Sequence, residues 1–293
     1  MIDREELFRT VQAGDYQASS DVFIKPCLDY IADSVDNNIQ NELFSELMSK
    51  YTDVSVQLEE KNETLKEYNE HLEDLVREKV KEISASQVAT IHALVKSAES
   101  RDDDTGEHIK RTSLYCKLIA ENLQNLGIYT DVVDDSYIEN IEKASPLHDI
   151  GKVGIKDDIL LKPGRLTDDE FKIMKTHVTI GYETLASVED LYPGNEFIKM
   201  GAEIARYHHE KWNGSGYMEG LSGDDIPLSA RIMALSDVYD ALRSQRVYKE
   251  PFSHEKSYGI IIDGRGTHFD PVLIDVFEGI HLEFKDIYDR LSE

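Results

Sequence analysis

The amino-acid sequence predicts an all-α architecture in which a helical bundle follows one long coiled-coil helix and a small N-terminal α/β remnant. Three observations carry this. Leu58, Leu65 and Leu72 recur every seven residues in a Glu- and Lys-rich stretch without Pro or Gly from residue 53 to 100, which is the pattern of a coiled coil. From residue 100 onward, apolar residues recur at helical spacing behind capping signals. No GxGxxG, P-loop, GxSxG or internal repeat is present, so neither a nucleotide-binding α/β fold nor a serine hydrolase is supported.

In chain order, residues 3–13 read as helix, 21–24 (DVFI) as a short strand and 27–47 as a second helix; residues 1–50 form the expected N-terminal segment. Residues 51–97 are the expected linker, with one helix from about residue 53 to 100. Tyr68 and Leu75 fill the intermediate places of the heptads. The eleven-residue spacing of Leu72, Ile83 and Leu94 then marks a shift of register, as a four-residue insertion into heptads produces. So narrow an apolar stripe on so charged a helix is buried most easily against a copy of itself, and a parallel homodimer is expected. Residues 98–293 form the expected C-terminal unit, with helices expected at 109–125, 137–149, 167–185, 196–208, 229–243 and 271–278. Thr167 before DDEF and Asp270-Pro271 before VLIDVF supply clear helix starts.

Composition excludes several function classes. Among 293 residues there are 32 Lys and Arg against 58 Asp and Glu, a formal charge of −26. A general nucleic-acid or anionic-membrane binder needs clustered positive charge, so neither is expected. At 40% hydrophobic and 31% charged, the chain has the make-up of a folded protein. No apolar run is long enough to span a membrane, and residues 1–10 lack a signal-peptide core; a cytoplasmic location is expected. Cys27 and Cys116 are far apart and outside any CxxC, which argues against disulfides or a zinc-thiolate site.

The histidines carry the chemistry. Asp104 and His108, His148 and Asp149, His177, His208 and His209, and Asp237 form a set of imidazoles and carboxylates along the C-terminal unit. Asp104 and His108 stand at i and i+4, so on a helix both leave from one face. An adjacent His148-Asp149 pair can give a nitrogen to one ion and a carboxylate that bridges to the next. Imidazole with carboxylate and no thiolate favours iron or manganese over structural zinc. His71, His92, His254 and His281 are read as ordinary core or surface residues, and His268 as a packing or turn residue.

The text around these residues is similar to a known family. RDDDTGEHIKR, LHDIGKVGI, LLKPGRLTDDEFKIMKTHVTIG, HHEKWNGSGYMEGL, IPLSARIMALSDVYDALRSQRVYK and GTHFDP resemble, in order and over nearly two-thirds of the chain, the HD-GYP subfamily of HD-domain phosphohydrolases. The resemblance implies an HD-type bundle of five to seven helices around two or three divalent metals, and hydrolysis of cyclic di-GMP to the linear dinucleotide pGpG or on to GMP. It implies metal ligands at His108, His148, Asp149, His177, His208, His209 and Asp237, with Asp104 at the place where some members complete a third site with Glu. By the same resemblance Lys152 reaches the phosphate region, Arg246 and Lys249 hold the substrate's phosphates, and Tyr217 is the tyrosine of the name motif. His148, Asp149 and Lys152 are thus the expected catalytic set. On a chain of charge −26 an anionic dinucleotide needs a local positive site, which Lys152, Arg243, Arg246 and Lys249 could make.

A second, shorter resemblance lies in SDVFIKPCLDYI, which is similar to the last strand and Lys-Pro turn of a two-component receiver domain, without the phosphoacceptor strand. Phosphorylation of this stretch is not expected; a signalling protein is an expected partner alongside cyclic di-GMP. One departure matters: Met218 stands where the family's motif has Pro, and Asn213 where an Asp is usual. Without the ring that fixes φ, residues 213–220 are expected to form a more mobile loop. Two other readings remain at this point, a non-catalytic cyclic di-GMP receptor or docking module, and a hydrolase of another cyclic dinucleotide such as cyclic GMP-AMP.

Overall fold

In the computed structural model, residues 37–99, 106–245 and 250–292 are described. The first helix and receiver-like strand of the expected α/β remnant, Asp104, Arg246 and Lys249 lie outside the described residues, and residues 37–47 of its second helix belong to a longer helix over Asn37–Glu99. Packing divides the chain into two units, Met1–Glu82 and Ile83–Glu293. All described secondary structure is helical, apart from an isolated bridge between Arg265 and Phe269.

Helix α1 runs unbroken over Asn37–Glu99, where the sequence suggested a break between residues 47 and 53. Thr52 explains the continuity. Its hydroxyl donates to the Met48 carbonyl at 2.8 Å, the back-bond through which a threonine is accommodated inside a helix instead of capping a new one. Leu47, Tyr51, Val54, Leu58, Leu65, Tyr68, Leu72 and Leu75 are all exposed, so the apolar stripe begins a turn or more before the heptads first read. The end of α1 is different: Val95 is buried in a small core with Ile109, Leu147, Leu185, Ala202 and Ala205.

The second unit continues with α2 (Gly106–Asn125) and α3 (Asp135–Ala144), the latter capped by Asp134, whose side chain accepts from the Tyr137 N–H. The expected helix through residue 149 stops at Ala144 and gives way to 3₁₀ turns at Ser145–Leu147 and Ile150–Gly154. Pro146 removes a backbone donor there. Gly151 permits the rest, because a Cβ on it would overlap the His177 carbonyl oxygen. After the single turn α4 (Asp157–Leu160) come α5 (Asp168–Lys175) and α6 (His177–Leu191), in place of one expected helix. Thr167 opens α5 with a reciprocal capping box to Glu170. Thr176 closes it, its hydroxyl donating to the Ile173 carbonyl at 2.7 Å.

Helices α7 (Glu196–Tyr207), α8 (Leu228–Arg243), α9 (His254–Asp263) and α10 (Pro271–Leu291) complete the unit. The last is much longer than expected, since Gly279 does not end it and Ile280 and Phe284 continue its buried face. The main core joins α2, α8 and α10, with Tyr115, Tyr239, Phe277 and Phe284 fully buried. The Tyr115 and Phe284 rings stack with centroids 4.4 Å apart. Aromatic pairs of this kind add about 0.5–1.5 kcal/mol to their area burial. This core fixes α2 against α8, the two helices that face each other across the polar site.

Candidate metal centre

Two groups of side chains with converging ligand atoms lie in the second unit. Asp149, His177, His208 and His209 form one; His108, His148 and Asp237 form the other; within each, the ligand atoms lie within 4.8 Å of one another. Each residue owes its place to local structure. His108 sits in the first turns of α2, Asp237 in mid-α8, and His177 is the first residue of α6. His208 caps the C-terminus of α7. The turn at Ser145–Leu147 ends on His148, and Asp149 departs from helical geometry at φ −104°. That irregular backbone divides the adjacent pair between the two groups, where a continuous helix would have turned them to different faces.

The imidazoles are oriented from behind. His148 Nδ1 is 3.0 Å from the Ser145 carbonyl oxygen, His177 Nδ1 2.8 Å from that of Met174, and His208 Nδ1 2.9 Å from that of Ile204. A ring that donates from Nδ1 to a carbonyl presents a bare lone pair at Nε2. The Nε2 atoms of His177 and His208 are buried without a hydrogen-bond partner, as is Oδ1 of Asp149, although they stand 3.2 and 3.7 Å from that oxygen. Buried lone pairs facing a carboxylate oxygen repel one another unless a proton or cation lies between them. The residues therefore fit a cation-holding role, with a donor set of imidazole nitrogen and carboxylate oxygen that suits a divalent metal.

Electrostatics keep the set ready. Burial alone would push the Asp149 carboxyl up, but Lys152, with Nζ 2.9 Å away, and His148 outweigh it and hold the carboxyl well below its usual range. Burial lowers His208 far below the ordinary imidazole value, and neighbouring His209 adds to it; His209 is itself pushed down to about 4 by burial. Neutral imidazoles beside an ionised carboxylate are the protonation states that ligate metals.

Other residues support the site that the sequence reading passed over. Asp240 is fully buried; His108 Nδ1 lies 2.8 Å from its Oδ2, and Arg111 donates to both carboxylate oxygens, Nε at 2.6 Å and a terminal nitrogen at 2.8 Å. A carboxylate placed behind an imidazole in this way fixes its tautomer and ring orientation. Its position three residues after Asp237 was the available signal. Glu210 is the second such residue. It is buried, and one of its oxygens accepts the N–H groups of Glu219 at 2.7 Å and Gly220 at 3.0 Å. Together with Asn213, which accepts from the Ser215 N–H at 3.0 Å, and with Gly216, where a Cβ would meet the Glu210 Cα at 2.5 Å, it holds the loop that was expected to be mobile.

That loop carries Tyr217, whose ring stacks on His209 at 4.7 Å between centroids, tilted 27°; Met218 beside it is half exposed. Arg243 is turned away from the site. It donates to Asp289 at 3.0 Å and lies 4.4 Å over the Tyr288 ring, so it serves α10 and not a phosphate. His254 and His281 are hydrogen-bonded to each other at 2.9 Å, and His268 stacks on Phe269. No described helix is long and apolar enough to cross a membrane.

A family model described as an HD domain matches residues 103–273. A probable cyclic di-GMP phosphodiesterase of Vibrio cholerae is 50% identical over 77% of this chain and 51% of its own length. The cyclic di-GMP phosphodiesterase response regulator RpfG of Xanthomonas campestris is 40% identical over 81% of this chain and 59% of its own. A 3′3′-cGAMP-specific phosphodiesterase 2 of Vibrio cholerae is 41% identical over 64% of this chain and 33% of its own. The chain thus spans only part of the length of the relatives it matches.

Proposed function

The chain belongs to the HD-domain family, in its HD-GYP subfamily, and from that premise we propose that it is a metal-dependent phosphodiesterase hydrolysing cyclic di-GMP to the linear dinucleotide or on to GMP. The observation that carries the proposal is the pair of adjoining His and Asp groups, with the Nε2 atoms of His177 and His208 aimed at Asp149 and no hydrogen bond between them. In this reading His108, His148 and Asp237 hold one ion and Asp149, His177, His208 and His209 the other, with Asp104 available to a third. Divalent ions held there supply an activated water and relief of negative charge on the phosphoryl oxygens.

The chain's own groups do the rest. Asp149 stays ionised beside Lys152, whose ammonium offsets a carboxylate that would otherwise repel an anionic phosphodiester. Buried backbone carbonyls and Asp240 keep the imidazoles in the ligating tautomer. Arg246 and Lys249 are the groups proposed to grip the substrate's phosphates, and Tyr217 closes the side of the site formed by His209. The exposed stripe from Leu58 to Leu75 supports a parallel homodimer as the unit that passes on an upstream signal.

The test is turnover. Protein reconstituted with iron or manganese under reducing conditions should convert cyclic di-GMP to linear dinucleotide or GMP, and Asp149→Ala should lose both metal and activity. A protein that binds metal and cyclic di-GMP yet releases no product would be a receptor, and the proposal would fall.

A further inference from the structure

We propose that Phe171, Lys175 and Tyr217 form a base-recognition subsite beside the metal centre that selects guanine over adenine; it rests on the proposed function. Phe171 and Lys175 stand at i and i+4 on α5, so both leave from one face. Their helix is fixed at its start by the capping box and by Lys162, which donates to a Glu170 oxygen at 2.7 Å. Phe171 is 44% exposed and belongs to neither apolar core. Its ring meets that of Tyr217 edge-on at 6.2 Å. The Lys175 ammonium lies 4.8 Å from the Phe171 centroid and 4.9 Å from that of Tyr217.

Tyr217 in turn stacks on His209, which places this aromatic and cationic group one ring removed from the metal-holding set. A phosphodiester held by that set would carry its nucleoside's base about a sugar's length away, within reach of the Tyr217 and Phe171 rings that follow on from His209. Aromatic faces stack any base. The ammonium supplies the choice, because it has three donors and no acceptor. Guanine offers O6 and N7 as two acceptors on one edge, whereas adenine offers N7 beside an amino group that is itself a donor. A cation held between two rings thus completes its hydrogen bonding with guanine and meets a donor with adenine.

The test measures binding of GMP and of AMP to the metal-loaded full chain by calorimetry, alongside turnover of cyclic di-GMP and cyclic GMP-AMP. Wild type should prefer GMP by roughly five- to hundredfold, the range of a specific base contact. Lys175→Met should bring that ratio near one with metal content unchanged, and Lys175→Arg should keep it. Phe171→Ala should weaken both nucleotides alike, by about fivefold or more. A GMP-to-AMP ratio that survives Lys175→Met overturns the inference. So does an equal loss of both nucleotides in that variant, which would make Lys175 a phosphate contact. A guanine preference in a chain that turns over neither cyclic dinucleotide would keep the subsite and sink the proposed phosphodiesterase.

Discussion

Asp240→Asn removes one charge from a buried cluster in which Arg111 is 5% exposed at its side chain and Asp240 not at all. Losing one partner of a buried, hydrogen-bonded ion pair typically costs about 3–5 kcal/mol, because the other charge stays desolvated without compensation. His108 exchanges its carboxylate acceptor for a neutral carboxamide whose single oxygen Arg111 also claims, and removing the carboxylate behind a ligating imidazole commonly weakens metal binding about 10- to 100-fold. Burial would raise the Asp240 carboxyl, yet the hydrogen bonds from Arg111 and His108 override it and hold the group below its ordinary value. A depressed carboxyl stabilises the fold above the unfolded carboxylate value of about 4 and loses that contribution as pH falls through the depressed value. The gap between wild type and variant in urea unfolding, measured in chelator, should therefore be widest near neutral pH and close in acid. Metal titration of the same pair should show the weaker site. A loss below about 1 kcal/mol together with unchanged metal affinity would refute the role given to Asp240.

Phe284→Ala should cost about 3–5 kcal/mol, the usual range for emptying a buried aromatic site, and denaturant unfolding would read it; a change within experimental error would mean that α10 beyond Gly279 does not hold the core. Burial pushes the Cys116 thiol up to about 12, with Ser236 only partly opposing, so iodoacetamide at pH 8 should label Cys116 only in the unfolded chain, as peptide mass mapping would reveal. Leu65→Lys with Leu72→Lys places charge in the proposed seam, where unpaired charge is costly. Light scattering should then report monomer where the parent is dimer, and a parent that is already monomeric contradicts the proposed pairing.

The sequence revealed the chemistry of the site more fully than its shape. Seven imidazole and carboxylate positions stood out because the stretches around them resemble a family whose metal ligands are of those residue types, and the structure gathers the seven into two groups. The irregular backbone between Ala144 and Gly154 could not be read, since its geometry depends on a long-range contact of Gly151 with α6 that no local pattern encodes. Asp240 was missed for a related reason. An acid on a helix reads as solvated unless one knows that Arg111, from α2, will face it. The helix expected at 271–278 ends just before Gly279, whereas α10 runs through it because Ile280 and Phe284 carry the apolar face onward; burial of that face outweighs the roughly 1 kcal/mol by which glycine weakens a helix. The continuity of α1 through Thr52 was likewise hidden, as the same threonine hydroxyl can cap a new helix or back-bond within an existing one.

Two adjoining metal sites are central to the proposed chemistry, and the metal-to-protein ratio of the chain purified under reducing conditions tests them most directly. Elemental analysis should find at least two equivalents of iron or manganese per chain, falling by one in Asp237→Ala, which removes a donor from the group of His108 and His148 only. A wild-type chain that hydrolyses cyclic di-GMP at full rate with one equivalent or none, or an Asp237→Ala variant with undiminished metal, would contradict the two-site arrangement.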